Sequence, residues 1–145
     1  MPKNSAEKPS LKQALLAMRG IWATIVFSQI VFFAILVLFV MPGQRVIHPQ
    51  LNLAWLDLVM LLTVVPMTFS IRNLFFRRTQ VDGRVPIGVY QRGNLIFWAA
   101  CEGVSFFGLV VAMVNGSLSP TIWVVLFALG LQAMTFPLAG RVSPS

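Results

Sequence analysis

The chain has 145 residues, of which 57% are hydrophobic and only 10% charged, and its mean hydropathy is +0.81. A soluble domain carries roughly 25% charged residues, so this composition excludes an ordinary soluble globular protein and points to a membrane protein. The formal charge of +7 is not gathered in a compact basic domain outside the apolar stretches, which argues against nucleic-acid binding.

Four apolar runs follow one another: Gly20–Met41 without charge, Leu51–Ile71 with only Asp57, Gly93–Val114 with only Glu102, and Ser119–Gly140 without charge. Each is about 20 residues long or slightly more, enough to cross a hydrocarbon core of roughly 30 Å. The expected fold class is therefore all-α and integral to the membrane. It is a four-helix bundle in a single domain over 1–145, with a tail over 1–19, transmembrane helices over 20–41, 51–71, 93–114 and 119–140, and a loop over 72–92. Basic residues concentrate in the tail (Lys3, Lys8, Lys12, Arg19), in the second loop (Arg72, Arg77, Arg78, Arg84, Arg92) and after the last run (Arg141). The first loop has only Arg45 and the third has no charge. Short loops rich in Lys and Arg stay cytoplasmic, so both termini are expected inside, in a bacterial-type inner or plasma membrane.

In chain order, Ser10 followed by Gln13 fits a capping box. It opens either a short helix lying on the membrane interface or the first crossing itself; Leu11, Ala14, Leu15 and Met18 share one face. The first crossing holds Thr24, Ser28 and Gln29 as interior polar groups and stops at Pro42-Gly43. His48 beside Pro49 reads as a loop residue. In the second crossing Trp55 suits an aromatic belt. Asp57, about one and a half turns in, is expected to reach interfacial water or Arg45. Pro66 should kink that helix, with Thr63 or a neighbouring helix satisfying the freed carbonyl. Val81-Asp82-Gly83-Arg84 is a turn signal. Ser119-Pro120 is a helix start, Gln132 and Thr135 are the polar groups inside the fourth run, and Pro137 ends or bends it. Phe32-Phe33-Ala34-Ile35 resembles Phe106-Phe107-Gly108-Leu109, and Met67-Thr68-Phe69 repeats as Met134-Thr135-Phe136. These pairs suggest two duplicated hairpins in parallel repeat.

The residue to ask about is Glu102, near the middle of the third run. A carboxyl at that depth costs several kcal/mol unless it is neutral, paired or facing a polar cavity. On a helical wheel it shares a face with Leu95, Trp98, Ala99, Ser105, Phe106 and Leu109. Ala99, Gly103 and Ser105 are the small residues that allow another helix to approach, and Gly108 lies away from that face. Gln29 and Gln132 should stand at comparable depth, either amide able to donate to the carboxyl. One His and one Cys (Cys101) make no zinc site, and no pattern calls for a cofactor. No second carboxylate or nucleophile–base set lies at the depth of Glu102, so an enzyme is not expected.

The run Arg84-Val85-Pro86, then Arg92-Gly93, then Glu102 and Gly108-Leu109-Val110-Val111-Ala112 resembles the second half of an ATP-synthase c subunit, a proteolipid. The likeness covers about residues 84–112, with Val85 where that family has Gln. It implies a proton- or sodium-binding carboxylate at Glu102 and a cytoplasmic loop in which Arg84 and Pro86 face a rotor stalk. Read from its residues, the chain is expected to be a non-enzymatic subunit or assembly component of a membrane complex, with Glu102 as a polar packing contact. Its partners are the lipid bilayer and other membrane subunits or further copies of itself. Binding or translocation of a proton or monovalent cation through Glu102 is the alternative.

Overall fold

The computed structural model describes residues 10–40, 42, 53–119, 121–138, 140, 142 and 143. Lys3, Lys8, Arg45, His48, Pro120 and Arg141 lie outside the described residues. The described chain is mostly helical: α1 over Leu11–Ile35, continued by a π-helical turn over Leu36–Val40, α2 over Ala54–Thr79, α3 over Ile87–Asn115 and α4 over Thr121–Met134. Two short strands, β1 (Val85–Pro86) and β2 (Val142–Ser143), pair in parallel, Val85 opposite Val142 and Pro86 opposite Ser143.

Three of the helices, over Leu11–Phe39, Trp55–Thr79 and Ile87–Asn115, are long and apolar enough to cross a membrane. The fourth is shorter than its apolar run. At 1.5 Å per residue α4 covers about 21 Å, because Pro137 has no N–H and disfavours helical geometry in the residue before it, ending the helix at Met134.

The capping box forms: the Gln13 N–H donates to Ser10 Oγ at 3.3 Å, and the Ser10 N–H donates to Gln13 Oε1 at 3.0 Å. The box does not open a separate interfacial helix. Leu11–Arg19 runs without a break into the apolar segment, since Ala14, Leu15 and Met18 are buried in the bundle. Leu15 and Met18 join the same core cluster as Val85 and Val142, so the first turns of α1 are anchored by burial in the bundle core.

The connection between α2 and α3 is also shorter than the 72–92 loop expected from charge. No helix breaker stands between Ile71 and Thr79, and α2 therefore carries Arg72, Arg77 and Arg78 as helical residues, while α3 already includes Arg92. The break comes at Asp82-Gly83, both with positive φ (49° and 76°). Val81 and Arg84 exchange two backbone hydrogen bonds of 2.9 Å across them. This is the geometry of a two-residue type I′ turn, for which Asp-Gly is a preferred sequence.

α3 is central, packing against α1, α2 and α4. It runs antiparallel to α2, as the successive contacts Phe76–Tyr90, Arg72–Asn94 and Phe69–Phe97 show. It runs parallel to α1, through Ser28–Glu102 and Phe32–Phe106. Pro66 lies inside α2. Thr63 does not reach the carbonyl that this proline frees, since its hydroxyl donates to Val59 O at 2.7 Å.

The turn is testable. Gly83→Ala should destabilise the protein by about 1–2 kcal/mol, the penalty for an L residue in left-handed backbone, whereas Asp82→Asn, which tolerates that region, should be nearly neutral. Thermal unfolding in detergent would show the difference as a lowered midpoint for the first variant only.

Candidate functional site

The bundle holds two acids, and the structure exchanges the roles expected of them. Glu102 is only half-buried, on the seam between the covered and outward faces of α3. Of the residues sharing its helical face, Trp98, Ser105 and Leu109 are buried while Leu95 and Ala99 are exposed. Its hydrogen-bond partner among the described residues is on α1: the Ser28 hydroxyl lies 3.0 Å from Glu102 Oε1 and 2.8 Å from Ile25 O, its one proton shared between the two acceptors. The residues expected around it are engaged elsewhere. The Gln132 amide donates to Trp98 O at 3.3 Å, and the Ser105 hydroxyl donates to Cys101 O at 2.9 Å. Gln29 is fully buried, and neither atom of its amide has a hydrogen-bond partner among the described residues.

Asp57 does not reach interfacial water. It is 0% exposed and lies against the backbone of α3 at Gly108, where a Cβ would stand 2.7 Å from Oδ2 and 2.8 Å from Oδ1. The missing side chain is what admits the carboxyl. The side chain of Thr121 is its neighbour from α4 and can hydrogen-bond to it, yet neither oxygen has a partner in good hydrogen-bonding geometry among the described residues. The first turn of α4, whose exposed N–H groups carry a partial positive charge, is an electrostatically favourable place for an acid. Near this end Asn115 closes the space between α2 and α3, its Oδ1 accepting from the Leu53 N–H at 3.5 Å.

At the other end of the α2–α3 pair, Arg72 is buried rather than free in a loop. Its Nε donates to Asn94 Oδ1 at 2.9 Å, and Asn94 in turn donates to Tyr90 O. The guanidinium lies 4.7 Å from the centre of the Phe76 ring and 5.8 Å from those of Phe69 and Phe97, an aromatic surround that compensates a buried cation. Gly93 makes room for one wall of this surround: a Cβ there would meet Phe76 Cε1 at 2.7 Å.

A third polar set joins three helices. Trp22 Nε1 on α1 donates to Gln132 O at 2.9 Å, and Trp98 Nε1 on α3 donates to Thr135 Oγ1 at 3.0 Å. Phe136 meets Trp22 edge-on, and the Arg19 guanidinium lies 5.6 Å from the centre of the Phe136 ring.

Of the positions expected at helix contacts, Gly108 packs inside the chain, whereas Ala99 and Gly103 are exposed and a Cβ on Gly103 would meet nothing within 4 Å. Arg84 is exposed beside the turn. Pro86 is half-buried and held in β1 against Ser143, so the segment is a strand covered by the C-terminal residues. Charge position alone missed Asp57 and Arg72. Their signal was in the spacing of α2: Asp57, Leu61, Val65 and Arg72 fall on one helical face, and all four are buried.

The fold and these sites define a helical protein with three helices able to cross a membrane and two polar contacts sealed between α2 and α3. Compared with known families, curated proteins and solved structures, the chain matches none.

The Asp57 contact predicts a specific coupling. Gly108→Ala adds a methyl where the carboxyl stands, and overpacking of about 1–3 kcal/mol outweighs the roughly 0.5–1 kcal/mol that Ala gains over Gly in a helix. Asp57→Ala removes the obstacle, so the double variant should be less destabilised than the sum of the two single ones. Additive unfolding energies would show that Gly108 and Asp57 do not touch.

Proposed function

We propose that the protein is a small polytopic membrane protein acting without catalysis, as a subunit or assembly component of a membrane complex. In it, α3 offers its outward face to a partner helix or to a second copy. The observation that carries this reading is the pair Ala99 and Gly103. They are four residues apart and exposed, and Gly103 borders empty space, so no contact among the described residues accounts for their small size. Small residues at this spacing are what lets membrane helices come close. Glu102 stands beside them, half-buried with one hydrogen bond, and a partner covering it would remove the cost of a carboxyl against lipid.

In this reading α4 is the fourth crossing, its short helix followed by the mainly apolar stretch from Phe136 to Leu138. The arginine distribution supports an orientation with both termini and the α2–α3 turn on the cytoplasmic side of a bacterial-type plasma membrane. A duplicated hairpin is supported by Phe32 and Phe106, equivalent in the two halves, whose rings meet with centroids 5.0 Å apart.

Size measurement after extraction in mild detergent tests the assembly. The wild-type chain should travel in a larger complex. Gly103→Leu should release it without lowering its own unfolding midpoint, because that position touches nothing inside the chain. A wild-type protein extracted cleanly as a monomer would refute the reading.

A second reading rests on the Ser28–Glu102 bond: proton or monovalent-cation binding at Glu102, in the manner of a proteolipid. Ser28 takes the place that Gln29, Gln132 and Ser105 were expected to fill. A hydrophobic carbodiimide should then label Glu102 in a pH- or sodium-dependent way, and Ser28→Ala should alter that dependence. No labelling at any pH excludes it.

A further inference from the structure

Near the turn, a cavity of about 340 Å³ opens between α2 and α3, lined by Phe75, Thr79, Val89, Arg92, Gly93 and Ile96. Gly93 forms its floor, with the Phe76 ring packed against that glycine, and the notch lies between Phe75 and Ile96, both exposed. Its walls are mostly apolar and belong to the two helices that are long enough to cross a membrane. Its one cationic group is Arg92, exposed, and Thr79 is not a competing donor, since its hydroxyl already donates to Phe75 O at 2.8 Å. Arg78, three residues beyond Phe75, lies on the same side of α2. Residues 72–92 hold five arginines against the single acid Asp82.

We infer that this notch is a binding site for one anionic phospholipid, its acyl chain along Phe75, Gly93 and Ile96 and its phosphate at Arg92. With α2 and α3 as crossings, as their length and apolarity allow, the arginine-rich end of the pair belongs at the headgroup layer, and a notch there selects a ligand apolar at one end and charged at the other. The excess of arginine selects the sign of that charge. A soluble anion would find only one cation and an apolar wall; a partner helix would meet a notch rather than a flat face. The notch lies on the same face of α3 as Ala99 and Gly103, one to two turns nearer the α2–α3 turn, and neither of those residues lines it.

Native mass spectrometry of the purified full chain, titrated with phosphatidylglycerol and with phosphatidylcholine, tests the site. The wild type should retain phosphatidylglycerol in preference to phosphatidylcholine. Arg92→Gln should weaken retention about five-fold, since one cation near an anionic surface is worth about 1 kcal/mol. Ile96→Trp, which fills the notch, should abolish it. Both side chains are exposed, so both variants should keep the wild-type unfolding midpoint in lipid-free detergent. Gly103→Leu should leave lipid retention unchanged, which separates this site from the assembly contact. Equal retention of the two lipids, unchanged retention in Arg92→Gln and Ile96→Trp, or displacement of the lipid by inorganic phosphate alone would overturn the inference.

Discussion

Two glycines on α3 set how closely α2 can lie beside it. Gly93 meets Phe76 and the stem of Arg72, and Gly108 meets the Asp57 carboxyl. The absence of a side chain admits the Phe76 ring in the first case and the Asp57 carboxyl in the second. Without the glycines the helices would stand further apart; Asp57 would lose its place against α3, and the Phe76 ring that flanks the Arg72 guanidinium would be displaced. Because α3 also carries the contacts to α1 and α4, the spacing of this pair governs where every other helix can sit.

The remaining polar contacts serve a different purpose. In a bilayer, apolar side chains gain little by leaving lipid for protein, so association relies on packing and on hydrogen bonds between helices. Trp22, Trp98, Gln132 and Thr135 supply these bonds at one level of the bundle and tie α1, α3 and α4 together. The buried start of α1 and the β1–β2 pair share one core, to which Leu15, Met18, Val85 and Val142 belong. The two-residue strands are too short to be stable alone; the buried valines hold them in place. α1 is thus secured at its beginning by apolar burial and further along by polar contacts. Much of its further length, from Phe27 to Phe39, turns large apolar side chains outward.

The helices were legible because runs of apolar residues without charge leave few alternatives. The Asp82-Gly83 turn and the Ser10–Gln13 cap were legible because local geometry demands those residue types. Helix ends were misplaced where charge stood in for structure. An arginine inside an apolar helix reads as a loop residue until its cage is known, and the cage of Arg72 comes from Phe69, Phe76, Phe97 and Asn94, split between two helices. Asp57 was misjudged for the same reason. Its distance from the helix start suggested water, and nothing near it in the chain reveals a glycine about fifty residues later, at Gly108. Glu102 was correctly placed near mid-helix, but its partner was the neighbour of the one expected: Gln29 faces the interior and Ser28 faces the acid, a difference of one residue that rotates a side chain by about 100°.

The contrast between the two acids bears on what the protein can do. Asp57 is closed off by Gly108 and by the beginning of α4, so any exchange with an ion or a partner would require α2 and α3 to separate. Its contacts are those of a group that fixes register. Glu102 needs no such movement. It sits at the edge of the contact between α1 and α3, held from one side by Ser28 and bordered on the other by Ala99 and Gly103, where the surface of the chain recedes. A polar group placed beside a shallow, small-residue surface within an apolar helix is stable only if something completes its surroundings. That requirement, rather than any chemistry within the chain, is why the proposed role looks outward from α3.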